Sequence, residues 1–150
     1  MSTDPVPALP GTYVLQVLVQ RACRIRIGAL GRLDFRAGMY LYVGSALGPG
    51  GLRSRISHHR SVGHRPRWHL DYLRRRATVP GAWVLPGPSR LECQWAGLLR
   101  NLTRLGTVGP GFGSSDCHCP SHLFHVAPGE QSCAELIARC LPRETLHIRF

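Results

Sequence analysis

The sequence predicts a single small α/β (α+β) domain. Two patterns point there: β-branched and alternating runs crowd the first third of the chain, and amphipathic stripes at helical spacing begin only after residue 50, then alternate with further strand-like runs. The length agrees, since 150 residues bury one sizeable core and leave little for a second.

Residues 1–10 are proline-bearing and read as a flexible leader. "TYVLQVLV" is dense in β-branched and aliphatic side chains, and in "CRIRIGAL" Cys23, Ile25 and Ile27 alternate with Arg24 and Arg26, so both are expected strands. "GALGRLDFRAG" reads as a turn-rich crossing, and "MYLYVG" as a third strand closed by Gly44. After the "GPGG" break, Leu52, Ile56 and His59 recur at helical spacing. Arg55 and His59 share a face of that helix, and His58, about 100° around it, points elsewhere. "WHLDYLRRRA" is a short helix whose three arginines suit the negative end of its dipole. "GAWVLPGP" is a fourth strand. Ser89 and Glu92 spell a capping box ahead of the stripe Leu91, Trp95, Leu98 and Leu102. A glycine-rich loop, "GTVGPGFGSSDCHCPSH", leads to the strand "LFHV", the amphipathic helix "EQSCAELIARCL" and the last strand "TLHIRF".

The formal net charge is +11, from 19 basic and 8 acidic side chains, and every basic one is arginine. Such a field attracts polyanions, nucleic acid first, with acidic membranes or an acidic protein as the remaining classes. The N-terminus lacks a cationic start followed by an apolar run, and no segment approaches a membrane span, so a cytoplasmic protein without membrane association is expected. Its six cysteines are then free thiols or metal ligands rather than disulfides.

Three short motifs occur in order: "GTY" at 11–13, "YVG" at 42–44 and "LRSRISHH" on the following helix. The set resembles the GIY-YIG nuclease superfamily. It is most similar to an uncharacterised GIY-YIG-like family sometimes fused to endonuclease III-type DNA glycosylases, through "GTYVL", "GRLDF", "GMYLYVGSA", "WHLDYL", "LEC" and "GFGSSDCHCPSHLFH". The resemblance implies a GIY-YIG-like domain over 11–126, a small mixed or antiparallel central sheet flanked by helices, with 127–150 as a C-terminal extension packed on it. Two departures stand out: "GTY" and "YVG" are separated by an extra strand, and Asn101 matches poorly the asparagine the superfamily carries after its glutamate.

By the resemblance, Tyr13 and Tyr42 face each other on neighbouring strands and manage the attacking water, Arg55 grips the phosphate, and His59 and His69 are further catalytic candidates. Glu92 takes the place of a metal-binding glutamate for Mg2+ (or Mn2+), which tolerates a shell completed by water and phosphate. Arg53, Arg60, Arg65, Arg67, Ser115 and Asp116 would hold nucleic-acid backbone. Each has a plainer reading. Tyrosines pack their rings, an arginine is solvated, and Glu92 only caps its helix. Cys117, Cys119 and His122 could bind zinc, but C-x-C-x2-H lacks a second, widely spaced ligand pair, so zinc is the less favoured cofactor.

The leading expectation is a metal-dependent endonuclease that hydrolyses phosphodiester bonds, structure-selective on DNA rather than RNA in a repair context, with a DNA glycosylase as partner. Its rivals are a catalytically inactive DNA/RNA-binding module and a zinc-stabilised interaction protein.

Overall fold

The computed structural model describes residues 4–102, 105–126 and 133–150. Its centre is β1 (Gly11–Val19), which pairs along its whole length with β4 (Gly38–Ala46) on one side and, through an irregularity after Gln16, with β5 (Ala77–Pro86) on the other. Outside these lie β7 (Leu123–Val126) then β6 (Leu105–Thr107) beyond β4, and β8 (Leu146–Arg149) beyond β5. Every pairing in this six-stranded sheet is antiparallel, in the order β6-β7-β4-β1-β5-β8.

The alternation of a strand sends neighbouring side chains to opposite faces, and β1 uses both. Tyr13, Leu15, Val17 and Val19 join a core with Leu52 and Ile56 of α1 (Gly51–Arg60) and Leu70 and Leu73 of α2 (His69–Leu73). Val14, Leu41, Val43 and Trp83 meet Trp95, Ala96 and Leu99 of α3 (Glu92–Arg100) and Leu136 and Ile137 of α4 (Cys133–Cys140) on the other. A sheet buried on both faces explains why its strands read as near-continuous apolar runs rather than a clean alternation.

Several expectations shift in detail. The crossing "GALGRLDFRAG" contains a strand of its own, β3 (Arg32–Phe35), which closes a separate hairpin with β2 (Cys23–Arg26), so four strands precede α1. The glycine-rich loop begins with β6 rather than as free coil. Residues 4–10, expected as a leader, are tied down: Leu52 and Arg53 amides donate to the carbonyls of Leu9 and Pro7, and Val6 is buried. The start of the helix expected from Glu130 lies outside the described residues. Among the described residues, no helix is long and apolar enough to cross a membrane.

Candidate functional site

Where β1 begins and β4 ends, an open cleft of about 250 Å³ is lined by Tyr13, Tyr42, Arg55, Trp68, Arg90 and Glu92, with Gly113, Asp116 and Cys117 on its far wall. Tyr13 lies opposite Gly44 in the ladder and Tyr42 opposite Leu15, so the two rings are diagonal neighbours on one face. Gly44 is required by this arrangement, because a Cβ there would collide with the Tyr13 hydroxyl.

Both rings form the floor of the cleft rather than its reachable surface. Tyr13 has no exposed surface and Tyr42 keeps 5%. Burial pushes both phenols well above their ordinary pKa, against the opposing pull of the Arg55 guanidinium, so both stay protonated near neutrality. The Tyr13 hydroxyl is already shared with His59 Nε2 at 2.9 Å. Behind it, His59 Nδ1 faces Asp71 Oδ1 at 3.7 Å, beyond hydrogen-bond reach. Burial lowers the His59 pKa, with Asp71 pulling the other way, so the ring is neutral.

Asp71 anchors this corner. Its Oδ2 accepts from the Arg67 and Trp68 amides, at 2.7 and 2.9 Å, and meets His58 Nε2 at 3.0 Å. Burial alone would raise its pKa, but the facing His59 and His58 rings and those two amides hold it well below the carboxylate range. As the third residue of α2, Asp71 also satisfies an amide at the helix start. Both Asp71 and His58 were missed as members of this corner. The only sequence signal for them was Asp71 in the first turn of "WHLDYL" and a basic loop leading into it.

The remaining candidates separate into rim and scaffold. Arg55 donates to the Ser45 carbonyl at 3.0 Å and lies 4.1 Å above the Trp68 ring, which orients its plane at the cleft. Arg67 is exposed, 4.9 Å from the same ring, and borders an adjoining hollow with Arg55 and His58. Arg65 and Ser115 are exposed and Asp116 lies on the cleft wall. Arg53 instead donates to the Val6 carbonyl, and Arg60 sits over the Phe150 ring. His69 does not line the cleft: its Nδ1 accepts from the Gly113 amide at 2.8 Å, which fastens the glycine-rich loop to α2.

Glu92 turns into the cleft but is bound by Arg90 Nε at 2.7 Å. The expected capping box at Ser89 does not form: the residue ahead of α3 is Leu91, with no side-chain cap. The next residue, Cys93, points to a different centre. Its sulfur, those of Cys117 and Cys119, and a ring nitrogen of His122 all lie within 4.8 Å of one another. His122 Nε2 is 3.5 Å from Cys117 Sγ, and its buried Nδ1 has no hydrogen-bond partner. Burial and the crowding thiols of Cys119 and Cys117 push the Cys93 thiol up to about 12.

A family model described as "Domain of unknown function DUF123" matches residues 12–143. The chain belongs to the DUF123 family. No curated protein matches it, and no solved structure does. The DUF123 match corrects the resemblance to the GIY-YIG nuclease superfamily: the chain follows this family over nearly its whole length and does not take a GIY-YIG-type fold. The three motifs that suggested it are short, three to eight residues each, and the extra strand expected between the first two is one arm of the β2–β3 hairpin. The endonuclease, hydrolase and magnesium assignments that came with the resemblance fall with it. The expectation of Mg2+ or Mn2+ at Glu92 is corrected on chemistry as well. One oxygen of that carboxylate is bonded to Arg90 Nε and, among the described residues, no second acid or imidazole converges on it, whereas the converging donors are three thiols and an imidazole, a set that suits zinc and not a hard cation. In this DUF123 domain the sheet is antiparallel with helices on both faces, a generic α+β architecture.

Proposed function

We propose that the protein is a nucleic-acid-binding module that holds phosphate at its cleft and does not cut it. One observation carries this reading: the cations stand at the rim, while the phenols that a hydrolytic mechanism would use are sealed beneath and protonated. Arg55 spends one N–H on Ser45, lies near the Tyr13 hydroxyl and is steadied by Trp68, and its planar fork has further donors for a phosphate oxygen. Arg67, Arg65 and the arginines beyond add charge beside it in a chain of net +11. Contacts of this type position a backbone, DNA or RNA, and carry little base information, so shape rather than sequence sets preference.

The test is fluorescence anisotropy with labelled single-stranded, duplex and branched oligonucleotides across a salt series. Binding should weaken steeply with salt, by a slope of about 0.9 per phosphate neutralised on duplex. Arg55→Ala and Arg67→Ala should each weaken it and flatten the slope. Every oligonucleotide should be recovered intact, with or without divalent ions. Absence of binding at low salt, or binding indifferent to Arg55→Ala, would remove the proposal.

A further inference from the structure

We propose that Cys93, Cys117, Cys119 and His122 hold one Zn2+ in a closed structural site that fastens the start of α3 to the 108–122 loop. The four donors come from two places far apart in the chain. Cys93 sits in the first turn of α3, and the other three lie on the loop between β6 and β7. A tetrahedral ion with Zn–S bonds of about 2.3 Å places its sulfurs about 3.8 Å apart. Donor atoms all within 4.8 Å, with Nε2 already 3.5 Å from one sulfur, need only small rotamer adjustments to close on it. The three thiols stand free rather than paired as disulfides. His122 is 1% exposed and its ring aims Nε2 into the cluster.

The loop explains what the metal does. Its two ends are secured by protein alone: His122 donates to Phe112, Gly111 to Pro120, and Gly113 to His69. Its tip, residues 115–120, carries no buried apolar side chain, so nothing hydrophobic holds it against α3. Three thiolates and an imidazole fill all four positions, which marks a structural ion and leaves no place for substrate. The adjacent residues Glu92 and Asp116 form the cleft wall, so the ion fixes that wall from behind. The other cluster of ligating groups, His58, His64 and Asp71, offers no such site, because Asp71 Oδ2 is consumed by two amides and His58, and His64 is bonded to backbone carbonyls.

Protein purified under reducing conditions without chelator should carry about one zinc per chain by elemental analysis. Co2+ exchanged into the wild type should give tetrahedral ligand-field bands with intense thiolate charge transfer. Cys93→Ser should weaken metal binding by more than the roughly 10–100-fold that loss of an outer-shell partner costs, while Cys140→Ser, a thiol of α4 outside the cluster, should leave it unchanged. Should Cys93→Ser fail to fold, chelation of the wild type gives the same reading by hydrogen exchange: amides of residues 113–122 and the first turn of α3 should lose protection ahead of β1. Background zinc with thiols reduced, an octahedral cobalt spectrum, or a disulfide between any two of the three cysteines in the intact mass would overturn the proposal.

Discussion

Two corners of this protein gather ionisable side chains, and they differ in where those groups spend their bonding capacity. In the Tyr13, His59 and Asp71 corner most polar groups answer one another, hydroxyl to imidazole and one carboxylate oxygen to two amides and a second imidazole, while His59 Nδ1 and Asp71 Oδ1 face each other unbonded at 3.7 Å. In the Cys93, Cys117, Cys119 and His122 corner three sulfurs and a ring nitrogen converge within 4.8 Å of one another, and sulfur is a poor hydrogen-bond partner. The contrast teaches that density of titratable residues does not mark a ligand site. Convergence of soft donors within reach of one ion is the better guide.

The sharpest separation between the corners is metal removal. Chelating the protein should loosen the loop and lower the thermal midpoint, because a structural ion is part of the folding free energy; calorimetry before and after chelation reads this, and the Tyr13 corner should retain its exchange protection. Next in size is Asp71→Ala, which strands two amides and His58. We expect a loss of about 2–4 kcal/mol at pH 7, read from urea unfolding. Because the folded pKa of Asp71 lies below the unfolded value of about 3.9, its contribution is complete at neutral pH. It fades as pH falls below that value, so wild type and variant should converge in acid. Gly44→Ala should cost about 1–3 kcal/mol through the collision with Tyr13. Smallest is Tyr13→Phe, about 1 kcal/mol from the lost hydrogen bond to His59, with oligonucleotide affinity unchanged. An affinity loss equal to that of Arg55→Ala would show that the floor of the cleft touches ligand, and would break the comparison.

Much of the frame was legible in the sequence. Apolar density named β1 and the core of β4, and the strands at "LFHV" and "TLHIRF" fall where expected. Helical spacing put Arg55 and His59 on one face, and the structure brings Tyr13, Tyr42, Arg55 and Glu92 to one cleft. What stayed hidden depended on long-range placement. Cys93 completes a cluster of metal-ligating side chains whose other members lie on a distant loop, and no local spacing rule reaches that far. Glu92 looked like a cap or a hard-metal ligand because its partner, Arg90, is not at a spacing that helix rules inspect. The β2–β3 hairpin was obscured by glycines that read as a crossing, and His58 by sitting off the face its neighbour shares.

The strand at the middle of the sheet is made before either of its neighbours. β1 presents apolar side chains to both faces; its ladder partner β4 follows only after the β2–β3 hairpin, and β5 only after α1 and α2 as well. On the ribosome, that segment therefore waits with both edges unpaired until β4 emerges, and with one edge open until β5 does. Such a topology folds slowly and leaves a β-rich stretch open to foreign strands, so yield of native protein should depend on synthesis rate and on chaperones that mask newly emerged β-structure.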